Sequence, residues 1–313
     1  MAKKIKVSAP GKIILSGEHA VVYGYPEVLS AIDKRLFVEI EESKAGLSVF
    51  PSEGRSYVEH ALETVKTKLE VGKLDNLKVV VSSEIPIGCG LGSSAAFAVA
   101  ITTAFFEFLK LPRNLKKINE IAYGIEKKQH NNPSGGDNTI STYGGFLLYR
   151  KETEMFKVFS SLKTRVFPSL FLINSGKPIE TTGEMVDRVR RFYLRSPLKV
   201  EKTFKEVEQV TRGFLKFLSK EESNLGELVK TNEELLERLG VVSKKTMRLI
   251  RKVEKIGGFA KISGAGGVKE NSGIMIAYHA DPEKLISFAE KERLDMFRVK
   301  LGEKGVRIEQ NAC

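Results

Sequence analysis

Apolar positions along the chain keep two rhythms. Leu36, Val38 and Ile40 alternate with Phe37, Glu39 and Glu41, the period of a strand with one wet face. Ile5–Ala9, Lys12–Ser16, Leu77–Val81 and Phe146–Tyr149 are short β-prone runs that add strands. Val58, Ala61, Leu62, Val65 and Leu69 recur at helical spacing and predict an amphipathic helix over Tyr57–Leu69. Ser93–Leu109 is almost wholly apolar and predicts a buried helix. Leu115–Lys128 predicts another, ending at a polar loop rich in Asn, Pro and Gly. A second part begins near Phe167. It reads as a strand at Ser169–Ile173, four helical patterns between Thr181 and Lys255, and a break at Gly257-Gly258. Strands at Phe259–Ser263 and Gly273–Tyr278 then flank a second glycine loop, followed by a helix over Pro282–Lys291 and a β-rich tail. Helices and strands are segregated, so the expected class is α+β. At 313 residues, 42% of them hydrophobic, the chain exceeds what one core usually holds. We expect two domains, 1–165 and 166–313, with ligands in the groove between them.

The formal charge of +12 admits anionic partners. The cations are interleaved with acids, as in Glu201-Lys-Thr-Phe-Lys-Glu-Val-Glu208, which reads as a solvated surface. No basic stripe with interleaved aromatics is present, so no nucleic acid is expected. The longest apolar run, Ala95–Phe106, is shorter than the roughly 20 residues a membrane span needs, so no membrane is expected either. The basic N-terminus lacks the apolar stretch of a secretory signal, and the expected location is cytoplasmic. Cys89 and Cys313 make no disulfide framework, and the four histidines are dispersed. The oligomeric state stays open, a homodimer included.

The sharpest local feature is Pro86-Ile-Gly88-Cys89-Gly90-Leu91-Gly92-Ser93-Ser94. Alternate glycines bare the backbone N–H groups to an anion, and the loop opens into a helix N-terminus, where phosphate is favoured. It is not a Walker A loop, because no Gly-Lys-Ser/Thr closes it. The alternative is a plain strand–turn–helix junction with serine as the helix cap. Two further blocks carry chemistry. In Ala9-Pro-Gly-Lys12 and Gly17-Glu18-His19, the lysine should hold its head out of the core near whatever binds at the strand end. The plain alternatives there are a surface lysine, a solvated glutamate and a loop histidine satisfied by backbone. In Glu126-Lys-Lys-Gln-His130-Asn-Asn132-Pro133-Ser134-Gly-Gly-Asp137-Asn138, Asp137 sits in a tight loop and could be only a turn former. Phosphoryl transfer to an alcohol needs a phosphate cradle, a Mg²⁺ holder, a carboxylate base and a cation. Gly88–Ser94, the Ser94/Glu126 oxygens, Asp137 and Lys12 could supply them.

Taken together, Pro86–Ala96, Lys261-Ile-Ser-Gly264-Ala265-Gly266-Gly267 and the N-terminal block resemble the GHMP kinases across almost the whole chain. Ala9–Lys12, Gly17–Gly24, His130–Asn138 and Ser141–Gly145 are most similar to the mevalonate kinases among them. The resemblance implies a two-domain fold with the active site between the halves. It implies ATP and Mg²⁺ as cofactors and mevalonate as the small-molecule substrate. It also implies Asp137 as catalytic base with Lys12 as partner, Ser94 and Glu126 as Mg²⁺ ligands, and Ser83, Pro86, Gly88, Cys89, Gly90, Leu91, Gly92, Ser93 and Ser94 around the nucleotide. Glu18, His19, Ser134, Gly264 and Ala265 would line the substrate. One stretch departs from the family pattern: Val268-Lys-Glu-Asn271 replaces glycines after Gly267. That departure leaves open a related kinase for another alcohol, such as phosphomevalonate or a sugar. A protein that binds nucleotide or nucleic acid without catalysis is the alternative from another class.

Overall fold

The computed structural model describes residues 4–309 except 45, 73–75, 87, 130–133, 152–155, 162–166 and 222. His130, Asn132, Pro133 and Cys313 lie outside the described residues, as does the expected boundary at 165/166. In chain order the elements are β1 (Lys4–Ser16), β2 (Pro26–Glu42), β3 (Ser48–Phe50), α1 (Arg55–Leu69), β4 (Leu77–Ser83), α2 (Ser93–Phe108), α3 (Leu115–Gln129), α4 (Gly136–Tyr143), β5 (Phe146–Lys151), β6 (Phe156–Ser161) and β7 (Leu170–Asn174). Then follow α5 (Thr182–Arg195), α6 (Pro197–Leu218), α7 (Leu225–Leu239), α8 (Lys244–Lys255), β8 (Phe259–Ile262), β9 (Ile274–Tyr278), α9 (Pro282–Glu292), β10 (Met296–Val299) and β11 (Arg307–Ile308).

Among the described residues the strands form two sheets. The first runs β11-β1-β2-β4-β3, with β5 and β6 continuing from the start of β2; the second is β10-β7-β9-β8. This is the expected α+β arrangement. Three local expectations are corrected. The two short N-terminal runs are one strand, β1, whose register against β2 shifts between Pro10 and Lys12 rather than breaking. β2 begins ten residues before the alternating stretch, at Pro26; its first half, Glu27–Ile32, is buried on both faces and so shows no period of two. The Asn/Pro/Gly loop ends in a helix, α4. Gly135 and Gly144 bound it, and Asn138–Thr142 are buried. Ser141 donates to Pro10 O at 3.0 Å, and Asn138 donates to Asn119 Oδ1 at 2.6 Å. Tertiary seating therefore makes a helix of a sequence with weak intrinsic preference for one.

α2 is buried from Ala95 to Phe106, as its composition predicts. One apolar cluster runs from Val7 and Val38 through Phe105 to Phe204, Val229 and Ile276, so the two sheets share a continuous core. The tail returns to the first sheet, where Val7 and Ser8 pair with Ile308 and Arg307. Buried Arg35 clamps it, donating to Ser8 Oγ at 2.7 Å, Lys304 O at 2.9 Å and Gly305 O at 2.8 Å. Among the described residues no helix is long and apolar enough to cross a membrane.

A polar seam crosses this apolar core. Lys261 on β8 is 0% exposed and Glu18, two residues after β1, is 2% exposed; they form an ion pair. Lys261 Nζ also donates to Ile14 O at 3.1 Å, and Ile14 N donates to Ser263 Oγ at 2.9 Å. Asn232 on α7 donates to Glu18 Oε2 at 3.3 Å and accepts from Ser16 Oγ at 2.6 Å. Beside them Glu233 accepts from Ile262 N at 2.8 Å, and burial pushes its carboxyl up to about 8. Buried charges this far from water persist only when paired and hydrogen-bonded, and Glu18 is held by Lys261 and Asn232 from the other half of the chain. Lys261→Met leaves the Glu18 carboxylate alone in the core and should lower stability by about 3–5 kcal/mol in chemical denaturation. Adding Glu18→Gln should restore most of the loss; a single variant with the wild-type midpoint would show that the pair carries no such weight.

Candidate active site

The phosphate loop is a chain of left-handed turns, with φ of 74° at Gly88, 84° at Gly90 and 73° at Gly92. Gly92 precedes α2, and no side chain caps the helix, so the alternative of a serine cap does not hold. The first-turn N–H groups and the positive dipole end are left facing the loop. Gly92 is also where Lys12 passes: a Cβ there would stand 2.8 Å from Lys12 Cγ. Lys12 N donates to Leu91 O at 3.0 Å, which ties the loop to the bulge in β1. On its other side Cys89 O accepts from Ile274 N at 3.3 Å. Burial pushes the Cys89 thiol up, which keeps it an unreactive part of the loop wall. Leu91 is buried and Pro86 half-buried, while the Ser83 hydroxyl is occupied with the Ile85 backbone at 3.0 Å.

Lys12 does not hold its head out of the core. It is 3% exposed, and its Nζ lies 3.1 Å from Asp137 Oδ1. The bulge turns the lysine inward beneath the loop, and the first turn of α4 brings the aspartate to it. The Asp137 side chain is 38% exposed, so the pair joins a buried cation to an accessible carboxylate at a helix N-terminus. The plain reading of Asp137 as a turn former is thereby replaced. Ser134 is spent on the entry to α4: its Oγ accepts from Gly136 N at 3.2 Å and its carbonyl accepts from the Tyr149 hydroxyl at 2.6 Å.

Ser94, in the first turn of α2, donates to Glu126 Oε2 at 3.0 Å, and the Tyr57 hydroxyl donates to Glu126 Oε1 at 2.8 Å. Burial and the Glu126 carboxylate raise the tyrosine, which stays protonated and orients the acid. Glu126 and Ser94 thus face each other at the foot of the phosphate loop.

The Glu18-His19 turn is backbone-strained. His19 has φ 61° and ψ −43°, and Ala20 N donates to Glu18 O at 2.7 Å, a left-handed γ-turn. Neither side chain is solvated. Glu18 is spent on Lys261 and Asn232, and His19 Nε2 lies 3.0 Å from Ala265 O. A carbonyl only accepts, so Nε2 carries the proton. Burial lowers the imidazole to about 4 and keeps it neutral. This bond fastens the turn to the second glycine loop, whose Gly264 lies against Gly90 of the first: a Cβ on Gly264 would be 3.8 Å from Gly90 O.

Several residues of this region carry no local signal in sequence. Lys177 lies along the phosphate loop, where a Cβ on Gly88 would meet its Cε at 3.2 Å. Asn232 and Tyr57 reach the region from distant elements. The Val268–Asn271 stretch is turned toward α5. Lys269 N donates to Glu180 Oε1 at 3.1 Å, Ser243 Oγ donates to Glu270 O at 2.7 Å, and Val268 and Lys269 line a cavity of about 330 Å³ with Met185 and Arg188.

Comparison with known proteins places these features in a family. Residues 56–145 match the GHMP kinases N terminal domain. A mevalonate kinase of Pyrococcus abyssi is 33% identical over 99% of this chain and 99% of its own length. One of Archaeoglobus fulgidus is 37% identical over 83% of this chain and 88% of its own. Among solved structures, the L. major mevalonate kinase in complex with R-mevalonate superposes with a TM-score of 0.81 at 25% identity, covering 97% of this chain and 100% of the other. The Methanococcus jannaschii mevalonate kinase does so at 0.81 and 26% identity, over 96% and 99%. With relatives of this identity along nearly its whole length, the chain belongs to the mevalonate kinases, within the GHMP kinase family.

Proposed function

We propose that this chain transfers the γ-phosphoryl group of ATP to the primary hydroxyl of mevalonate, with Asp137 as base and Lys12 as its cationic partner. The observation that carries the reading is the Lys12–Asp137 pair at 3.1 Å, seated under the glycine loop that opens into α2. The loop amides and the α2 dipole favour the nucleotide phosphates. Asp137 takes the hydroxyl proton as the alcohol oxygen bonds to the γ-phosphorus. The bond from that phosphorus to the bridging oxygen breaks, ADP leaves with the electron pair, and the proton stays on Asp137. Lys12 lies where negative charge gathers, and its burial strengthens that interaction.

Ser94 Oγ and Glu126 Oε2 are hard oxygens 3.0 Å apart, a set that suits Mg²⁺ completed by phosphate oxygens and water. Bound there, the ion would neutralise charge on the transferring group. On the acceptor side the neutral His19, the Glu18 turn, Ser134, Gly264 and Ala265 form the wall we assign to the substrate. The two glycine loops lie against each other at Gly90 and Gly264, which supports a wall adjoining the phosphate cradle.

Asp137→Asn should still bind nucleotide yet lose about 10²–10⁴-fold in kcat, read as mevalonate-dependent ADP release. A near-normal rate in that variant would remove Asp137 from the role of base. Glu126→Gln should raise the Mg²⁺ concentration for half-maximal rate by about tenfold or more, with the fold unchanged by circular dichroism. An unchanged Mg²⁺ dependence would place the ion elsewhere. Purified protein with ATP, Mg²⁺ and a panel of alcohols should turn over mevalonate in preference to phosphomevalonate or sugars; the reverse preference would reassign the acceptor.

A further inference from the structure

Glu27, the second residue of β2, has no task in the transfer described above. It is 1% exposed and pairs across the ladder with Tyr149 of β5. Its Oε1 is buried and has no hydrogen-bond partner among the described residues. Its place is tight on two sides. A Cβ built on Gly136, the residue before Asp137, would stand 2.5 Å from Glu27 Oε1. A Cβ on Gly17, the residue before Glu18, would stand 2.3 Å from the Glu27 Cα. The residue is wedged between the turn that bears Glu18, which packs on its Cα, and the helix turn that bears Asp137, which packs on its carboxyl. The groups facing it are Asp137 from α4, Lys12 from β1, Glu18 from the turn after β1 and the Tyr149 hydroxyl from β5.

A carboxylate that is buried and makes no hydrogen bond is heavily penalised, whereas the neutral acid is not. The surrounding charges lead to the same state. Lys12 is matched by Asp137 and Lys261 by Glu18, so an ionised Glu27 would add an uncompensated negative charge to a balanced set. Burial, and after it the Asp137 charge, hold the Glu27 carboxyl well above the usual carboxylate range, with Lys12 opposing.

We propose that Glu27 is a positioning residue that gates the Lys12–Asp137 pair: as a neutral acid it leaves Lys12 to Asp137 and the incoming phosphoryl group, and as a carboxylate it competes for Lys12 and repels the anionic reactants. The proposal rests on the reading of Lys12 and Asp137 as the transfer pair. The gate closes as pH rises. The same ionisation is linked to stability. The unfolded chain releases this proton in the ordinary carboxylate range while the folded chain retains it. Stability is therefore full below that range and declines as pH rises toward the folded value. A glutamine removes both effects.

The test is the pH profile of kcat/KM for mevalonate between about pH 6 and pH 10 for wild type, Glu27→Gln and Glu27→Ala, with a thermal melt at each pH. In wild type the alkaline limb should fall about tenfold per pH unit beyond the ionisation. In both variants that limb should move upward by about one pH unit or more, to where another group of the site titrates. Glu27→Gln should also melt at or above the wild-type temperature on the alkaline side. Glu27→Ala, which removes the carboxyl without replacing it, keeps the test open if the glutamine variant folds poorly. Variant limbs that coincide with wild type, in a protein whose Asp137→Asn form is inactive, would overturn the gate and leave the transfer pair standing. An active Asp137→Asn form would instead overturn the pair on which the gate depends.

Discussion

The Glu18–Lys261 ion pair sets the relation between everything else. Two opposite charges more than 240 residues apart in sequence are held together away from water. Such a pair is tolerated only when its remaining hydrogen-bonding capacity is filled, and here the fillers are Ile14 O and Asn232. Each filler fixes another element. Ile14 lies on β1 two residues beyond Lys12, and its N–H is bonded to Ser263, at the entry to the second glycine loop. Asn232 holds α7 against Ser16. The two sheets are thereby locked in register by polar contacts that have one good geometry, whereas the apolar core around them would accept small slides. Both glycine loops inherit this register, since one starts from the end of β8 and the other is tied to β1 through Lys12 and Leu91.

Within that frame the site separates its charges by depth. Lys12 is buried and Asp137 is accessible, which on the proposed reading sets the cation in a low-dielectric surround and lets the carboxylate meet an incoming hydroxyl. The bulge at Pro10 makes this possible. It turns Lys12 inward, leaves the Pro10 carbonyl free to receive Ser141 of α4, and so sets the helix that carries Asp137. The strained turn at His19 does related work on the side we assign to the acceptor. A residue at φ 61° persists only where its surroundings over-determine it, and the Ala265 carbonyl and the Glu18–Lys261 pair do so from opposite directions.

Much of this was legible in the chain because its cause is local. Glycine spacing followed by an apolar run reads directly as a loop opening into a buried helix, and the structure has it at Gly88–Phe108. Chemical need suggested that Lys12, Ser94, Glu126 and Asp137 act together, and the fold brings them into two touching pairs. What escaped depends on distant partners. The first half of β2 lacks a strand rhythm because it is buried on both sides. α4 reads as a loop because its glycine borders and polar residues give no helical signal until Pro10 and Asn119 receive its side chains. Lys261 is legible only as the start of the second glycine motif, since nothing near it in sequence announces Glu18. Glu27 carries no signal in the sequence, yet it is among the most enclosed acids of the described residues.

The departure at Val268–Asn271 can be weighed by where its bonds go. A glycine stretch lets a backbone follow a ligand closely; a charged stretch needs somewhere to put its side chains. Here Lys269 is tied through its backbone to Glu180, Glu270 through its carbonyl to Ser243, and Asn271 reaches the Lys177 carbonyl at 3.5 Å. Glu180 and Ser243 lie just before α5 and α8, whereas Lys177 runs along the phosphate loop beside Gly88. Gly264 and Ala265, which touch Gly90 and His19, keep the family pattern and the contacts that join the two loops. The stretch therefore forms a rim beside the cavity lined by Met185 and Arg188. Among the described residues no hydrogen bond of this stretch ends on Lys12 or Asp137, so any influence on the proposed transfer is indirect, through Lys177, Glu180 or Ser243.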